Sequence, residues 1–171
     1  QVTKQGQGIA WGSLHWQYFE NLDKIKSYKT PLQVSKQLYK KTNTESGAVL
    51  EKVQMGDSLK TGDYLTVRIT IRADRNMDFI HLQDMRAPSF EPVEQLSGYR
   101  YRSGLGYYRS IRDASANFFF DHLPKGTHVF EYDLLVSQSG TFNNGITTLQ
   151  SMYAPGFNSH SKGRKVMIKQ Q

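Results

Sequence analysis

Cysteine is absent from the 171 residues. That excludes disulfides, thiolate metal sites and cysteine nucleophiles within this chain, and leaves the cellular compartment open. No apolar run approaches the roughly 20 residues that span a bilayer as a helix. The opening residues, QVTKQGQGIAW, lack the basic start and apolar middle of a signal peptide. An exported protein carrying this sequence is therefore expected to bear its signal upstream, with this chain a piece of something longer. Long amphipathic helix patterns are missing as well, and so are internal repeats and low-complexity tracts. Neither a Gly-x-Ser-x-Gly elbow nor a phosphate loop is present, and SGLGYY (Ser103–Tyr108) is too short to serve as one.

Hydrophobic residues make up 37% of the chain and charged residues 22%, a globular balance of one domain's length. The formal charge of +7 admits an acidic partner, nucleic acid or an anionic surface. However, the basic residues are dispersed, with no long block of one sign, and no nucleic-acid partner is expected from charge.

The strand signals are strong. In DYLTVRITIRAD, Leu65, Val67, Ile69 and Ile71 alternate with Thr66, Arg68, Thr70 and Arg72, a period of two. In THVFEYDLLVS, Phe130, Tyr132, Leu134 and Val136 share one face, and Glu131 and Asp133 the other. The aromatic run ASANFFFDHL reads as a third strand. Further strands are expected over Leu32–Lys41, Phe79–Asp84, Gly98–Arg102 and Arg164–Lys169. Turn signals recur about every 8 to 15 residues. The pattern predicts an all-β, antiparallel, two-sheet β-sandwich of immunoglobulin-like type, with a core of large rings.

Residues 1–30 read differently. Trp11, Ser13, His15 and Gln17 would share one strand face and Leu14, Trp16 and Tyr18 the other, which predicts a strand buried between partners. A helix competes, through Tyr18, Leu22 and Ile25. Thr30-Pro31 marks a break. The expected division is a segment of a preceding domain over 1–30 and a sandwich over 31–171.

Few residues suggest chemistry. DRNMDF (Asp74–Phe79) opens like a calcium loop but lacks the glycine and the closing glutamate, so no metal site is expected there. His15, His81, His122, His128 and His160 show no helical ligand spacing. No catalytic residue and no cofactor is predicted. Two stretches stand out as surfaces. In YRYRSGLGYYRSIR, Tyr99, Arg100, Tyr101, Arg102, Tyr107, Tyr108 and Arg109 interleave rings and guanidiniums. Such a stretch forms a cross-strand ladder, a protein interface or a platform for stacked bases. In ITTLQSMYAPGF a strand runs into Met152, Tyr153 and Pro155, where the Pro-Gly pair halts it.

Several pieces together resemble the C-terminal, macroglobulin-type domain of bacterial alpha-2-macroglobulin family proteins, of the kind found in Bacteroidetes. They are GIAWGSLHWQYFENLDKI, DMRAPSFEP, FFFDHLPKGTHVFEY and MYAP, in order, over roughly residues 8–168. The resemblance implies a non-catalytic sandwich at the end of a long exported chain, periplasmic or on the cell surface. That chain would act as a protease trap, and only a distant anchor would touch the membrane. The implied partners are neighbouring domains of the same chain and, through the full-length protein, target proteases. Residues 1–30 would be the returning part of a connecting domain. An internal Cys–Gln thioester, carried by many family members, cannot lie within this chain. By the same resemblance, Tyr153, with Met152 and Pro155, would pack over a neighbouring thioester and keep water from it. The plainer alternative has Tyr153 capping the sandwich's own core. A free-standing adhesion or polysaccharide-binding module remains the rival to the whole reading.

Overall fold

Period-two alternation buries one face of each strand, and two such faces must meet. A computed structural model describes residues 3–12, 16–102 and 104–170. In it the strands are β1 Leu32–Thr44, β2 Gly47–Lys52, β3 Ser58–Lys60, β4 Tyr64–Ala73, β5 Met77–Met85, β6 Phe90–Pro92 and β7 Gly98–Arg102. They continue with β8 Leu105–Ile111, β9 Ser115–Leu123, β10 Gly126–Val136, β11 Gly140–Asn143, β12 Thr147–Ser151, β13 Asn158–His160 and β14 Lys165–Lys169. No α-helix forms among the described residues.

One sheet has the order β2-β1-β4-β10-β6, and the facing sheet β13-β12-β5-β9-β8-β7. Both are antiparallel throughout. A small third sheet, β11-β14-β3, joins β14 to β3 in parallel. The expected two-sheet, all-β sandwich is thus the body of the molecule. The core comes from the alternating residues: Leu65, Val67, Ile69 and Ile71 of β4 face Ile80 and Leu82 of β5 and Phe118 and Phe120 of β9 across the sandwich. Phe120, Phe130 and Tyr107 meet as a ring cluster with centroids 5.3–5.7 Å apart.

One polar group crosses this core. The Asp84 carboxylate on β5 is fully buried and receives three side-chain donors. They are Lys36 Nζ of β1 at 2.8 Å, Thr147 Oγ1 of β12 at 2.5 Å, and the Tyr132 hydroxyl of β10. Lys36 also donates to the Met85 carbonyl at 2.7 Å. Both sheets supply donors, so the carboxylate clamps one to the other. Burial, reinforced by the Asp84 charge, pushes the Tyr132 phenol well above its usual range, and the hydroxyl stays a donor. Nearby, buried Arg86 donates from Nε to the Phe90 carbonyl and from Nη2 to the carbonyls of Arg112 and Asp113, leaving Nη1 without a partner among the described residues. The stretch DMRAPSFEP is therefore a structural motif: it seats an acid and a base inside the sandwich.

Residues 1–30 depart from expectation. Ser13, Leu14 and His15 lie outside the described residues. The others form neither the buried strand nor the helix, and Trp11 and Phe19 are 92% and 103% exposed. A strand needs a partner edge. This segment finds one only at Tyr28, whose N–H and C=O both pair with His160 at 3.1 Å. A short 3₁₀ turn at Leu22–Lys24 precedes it, and Gly163 N–H donates to the Ile25 carbonyl at 2.8 Å.

Candidate functional site

The turn after β12 is tightly built. Ser151 N–H donates to the Phe157 carbonyl at 3.0 Å, and Phe157 N–H to the Ala154 carbonyl at 2.9 Å. Asn158 Nδ2 donates to the Pro155 carbonyl at 2.6 Å. The loop Met152–Gly156 is thereby pinched at its base. Phe157 turns inward and packs against the core, with the Arg75 guanidinium over its ring. Tyr153 does not cap that core; 78% of it is exposed. Phe157 already fills the inward position, so the turn carries Tyr153, Met152 and Pro155 to the outside.

A second ring backs Tyr153. Phe79 meets it edge-to-face with centroids 5.1 Å apart, and the Phe79 carbonyl accepts the Met152 N–H at 2.9 Å. Phe79 has φ of +53°, alone among the described non-glycine residues. That region costs an ordinary residue on the order of 1 kcal/mol or more. At this point the alternation of β5 changes phase: Met77 is buried, then Ile80, Leu82 and Asp84. The matched stretch of β9, Asp121–His122, breaks phase too. The strained residue delivers an aromatic ring to the surface beside Tyr153. Sequence reasoning missed Phe79, although its signal was there, since MDFIHL fits two strand phases equally badly. Replacing Tyr153 with alanine is expected to lower the stability of this chain by no more than about 1 kcal/mol, the scale of one aromatic edge contact. Urea unfolding checks it.

The second stretch folds as a hairpin of β7 and β8, with Tyr99 opposite Tyr108 and Arg100 opposite Tyr107. The structure divides the seven residues. Tyr107 joins the core rings, and Arg109 is buried, donating to the Leu96 carbonyl at 3.1 Å and to Glu94 at 2.8 Å. Arg100 reaches the same Glu94 carboxylate at 2.7 Å. Tyr108 meets Tyr99 edge-to-face at 5.0 Å. Tyr99, Tyr101 and Arg102 are exposed, and half-buried Tyr108 lies on the outer face between Tyr99 and Phe119. Arg100 and Arg109 are thus engaged with Glu94 and Tyr107 with the core, while Tyr99, Tyr108, Phe119 and His81 line up across β7, β8, β9 and β5.

A charged groove of about 790 Å³ lies between this hairpin and β10. Most of its charges are paired: Lys41 with Asp133 at 2.6 Å, Glu131 with Arg68 at 2.5 Å, and Glu94 with Arg100 and Arg109; Arg102, which also lines it, is exposed. The Arg100 and then the Arg109 hydrogen bonds hold the Glu94 carboxyl below the usual range. A depressed carboxyl adds stability above its unfolded value, about pH 4.3, and that stability fades as pH falls through the folded value. Glu94→Gln is thus expected to flatten the fall in melting temperature between about pH 4.3 and pH 3. The effect is small, under about 1 kcal/mol at low salt, because Glu94 is half exposed.

The residues of the abandoned calcium-like loop are otherwise engaged. Asp74 pairs with Arg75, Asn76 Oδ1 accepts the Lys125 N–H, and Asp78 meets His122.

The chain is an open sandwich of two antiparallel sheets that presents a pinched aromatic turn, an architecture shared with macroglobulin-type domains. Residues 32–156 match the family model of the bacterial alpha-2-macroglobulin MG10 domain, and the chain belongs to that family. Solved structures agree on the fold. Salmonella alpha-2-macroglobulin reacted with methylamine is similar at a TM-score of 0.67 and 17% identity, over 84% of this chain and 10% of that one. Native alpha-2-macroglobulin from Escherichia coli, spanning domain MG7 to the C-terminus, gives 0.66 and 13%, over 84% and 24%. The trypsin-activated Escherichia coli protein gives 0.65 and 13%, over 84% and 11%. The chain therefore spans between a tenth and a quarter of these relatives. No curated protein matches it.

Proposed function

We propose that this chain is the non-catalytic C-terminal sandwich of a bacterial alpha-2-macroglobulin-like protease trap, exported to the periplasm or cell surface. It acts by docking on neighbouring domains of the same long chain. The observation that carries this is the outward Tyr153, held by a closed turn and backed by strained Phe79. A ring so exposed and so fixed is built to be covered by something else. With Met152 and Pro155 it forms a rigid plug, and where the parent chain contains a thioester, the plug would exclude water from it. Tyr99, Tyr101 and Arg102 offer a second contact, and residues 1–30 would return from a connecting domain. Target proteases are met only through the full-length protein. No feature of the site favours the adhesion or polysaccharide-binding alternative.

The test uses the full-length parent. After addition of a general endopeptidase, residual activity on a large protein substrate should fall while activity on a small peptide substrate persists. Tyr153→Ala in the parent should reduce that difference without unfolding this domain. Equal loss on both substrates, or none on either, would refute trapping. An unchanged difference in the variant would remove Tyr153 from it.

A further inference from the structure

A second cavity, of about 170 Å³, sits where the strand-linking stretches 53–55, 144–145 and 162–164 converge beside β1 and β2. Its charged lining is of one sign, and its other polar side chains are the neutral amides Gln37, Gln54 and Asn144. Lys52, Lys162 and Arg164 all face it, and no carboxylate lines it among the described residues. The structure gives none of the three an ion pair with a described residue. Arg164 is half-buried, and its one hydrogen bond runs from Nη2 to the Val53 carbonyl at 2.5 Å. The remaining guanidinium donors are unspent. Burial holds that guanidinium below its ordinary value, only partly offset by the charge of Asp57. Asp57 does not bond to it; its Oδ2 accepts the Gln54 N–H at 2.6 Å. Asn144, 2% exposed, spends Oδ1 on the Ala87 N–H and leaves Nδ2 free to donate. Lys36 also borders the cavity, but Asp84 neutralises it.

Half-buried cations are ordinarily paired or hydrogen-bonded. Here the half-buried guanidinium of Arg164 and the exposed ammonium groups of Lys52 and Lys162 border one cavity with no carboxylate opposite, beside the neutral amides of Gln37, Gln54 and Asn144. That cationic lining without a carboxylate matches one chemistry, an oxyanion, which takes several N–H donors at once and neutralises the excess charge. We infer that this cavity is an oxyanion site, filled by a free phosphate or sulfate ion or by a carboxylate side chain from an adjoining polypeptide. The inference stands independently of the trap reading, since it rests on this cavity alone.

The experiment titrates the 171-residue chain with sodium sulfate, phosphate or acetate against sodium chloride at matched ionic strength. Thermal midpoint and calorimetric binding are followed. Saturable binding of sulfate and phosphate with weak acetate binding identifies a free tetrahedral anion. Preference for acetate and for a glutamate-bearing peptide identifies a protein carboxylate. Either supports the site. Lys52→Ala/Lys162→Ala alters only exposed side chains, so it folds, and it should weaken the preferred anion about tenfold, the equivalent of about 1.4 kcal/mol. Chloride matching the oxyanions, no saturable binding, or an unaffected double variant would each overturn the inference.

Discussion

Asp84→Ala is expected to lower the unfolding free energy by about 3–5 kcal/mol, the scale for stripping one partner from a buried ion pair. The carboxylate is fully buried, and the Lys36 side chain is nearly so. Alanine leaves an ammonium in the core with only the Met85 carbonyl, and leaves the Tyr132 and Thr147 hydroxyls without acceptors. The urea midpoint should drop with little change in slope. Lys36→Met/Asp84→Asn removes both charges but keeps an acceptor for the two hydroxyls, and should recover most of the loss. A drop below about 1 kcal/mol in Asp84→Ala would show that the clamp does not hold the sheets. The same network has an alkaline limit. The folded Tyr132 pKa is raised, so its contribution is complete below the unfolded value of about 10 and is lost as pH rises above that. Tyrosinate absorbance during an alkaline titration checks it, because Tyr132 should ionise only with unfolding.

Gly163→Ala should detach the N-terminal segment. A Cβ at this position would lie 1.4 Å from the Leu22 carbonyl oxygen and 2.6 Å from its carbon. Backbone cannot yield that distance locally, so residues 22–25 must move away. The Gly163–Ile25 hydrogen bond goes with them, and the pairing of Tyr28 with His160 is put under strain. The expected loss is about 1–3 kcal/mol, the usual range for overpacking. Limited proteolysis should cut within residues 3–30 much sooner than in the parent chain, while the strands from β1 onward stay protected. Gly156→Ala is the control, since a Cβ there meets nothing within 4 Å. Undiminished protection of the segment in Gly163→Ala would mean that this close approach does not hold it.

Much of the sandwich was legible in the sequence. The alternation in β4 and β10 named the buried face of each, and the run Gly98–Arg102 is β7 to the residue. The hairpin residues were found as a group but not sorted: which ring enters the core and which arginine meets Glu94 depends on how β8 lies over β10. Phe79 escaped because a single residue at positive φ reverses the phase of its strand, and apolarity alone does not show that. Trp11, Trp16, Tyr18 and Phe19 read as buried because their composition is that of a core; in the structure all four stand exposed.

What the sequence by itself determined was the class: an all-β sandwich, where its main strands lie and which side of each is apolar. These follow from a two-residue backbone period, a property of near neighbours. The tertiary structure decided which charges meet, that Tyr153 faces outward, and that three cations share a cavity. Those facts depend on strands brought together from distant parts of the chain, as Asp84 is with Thr147 across 63 residues. Local pattern carries no record of which strand will lie opposite.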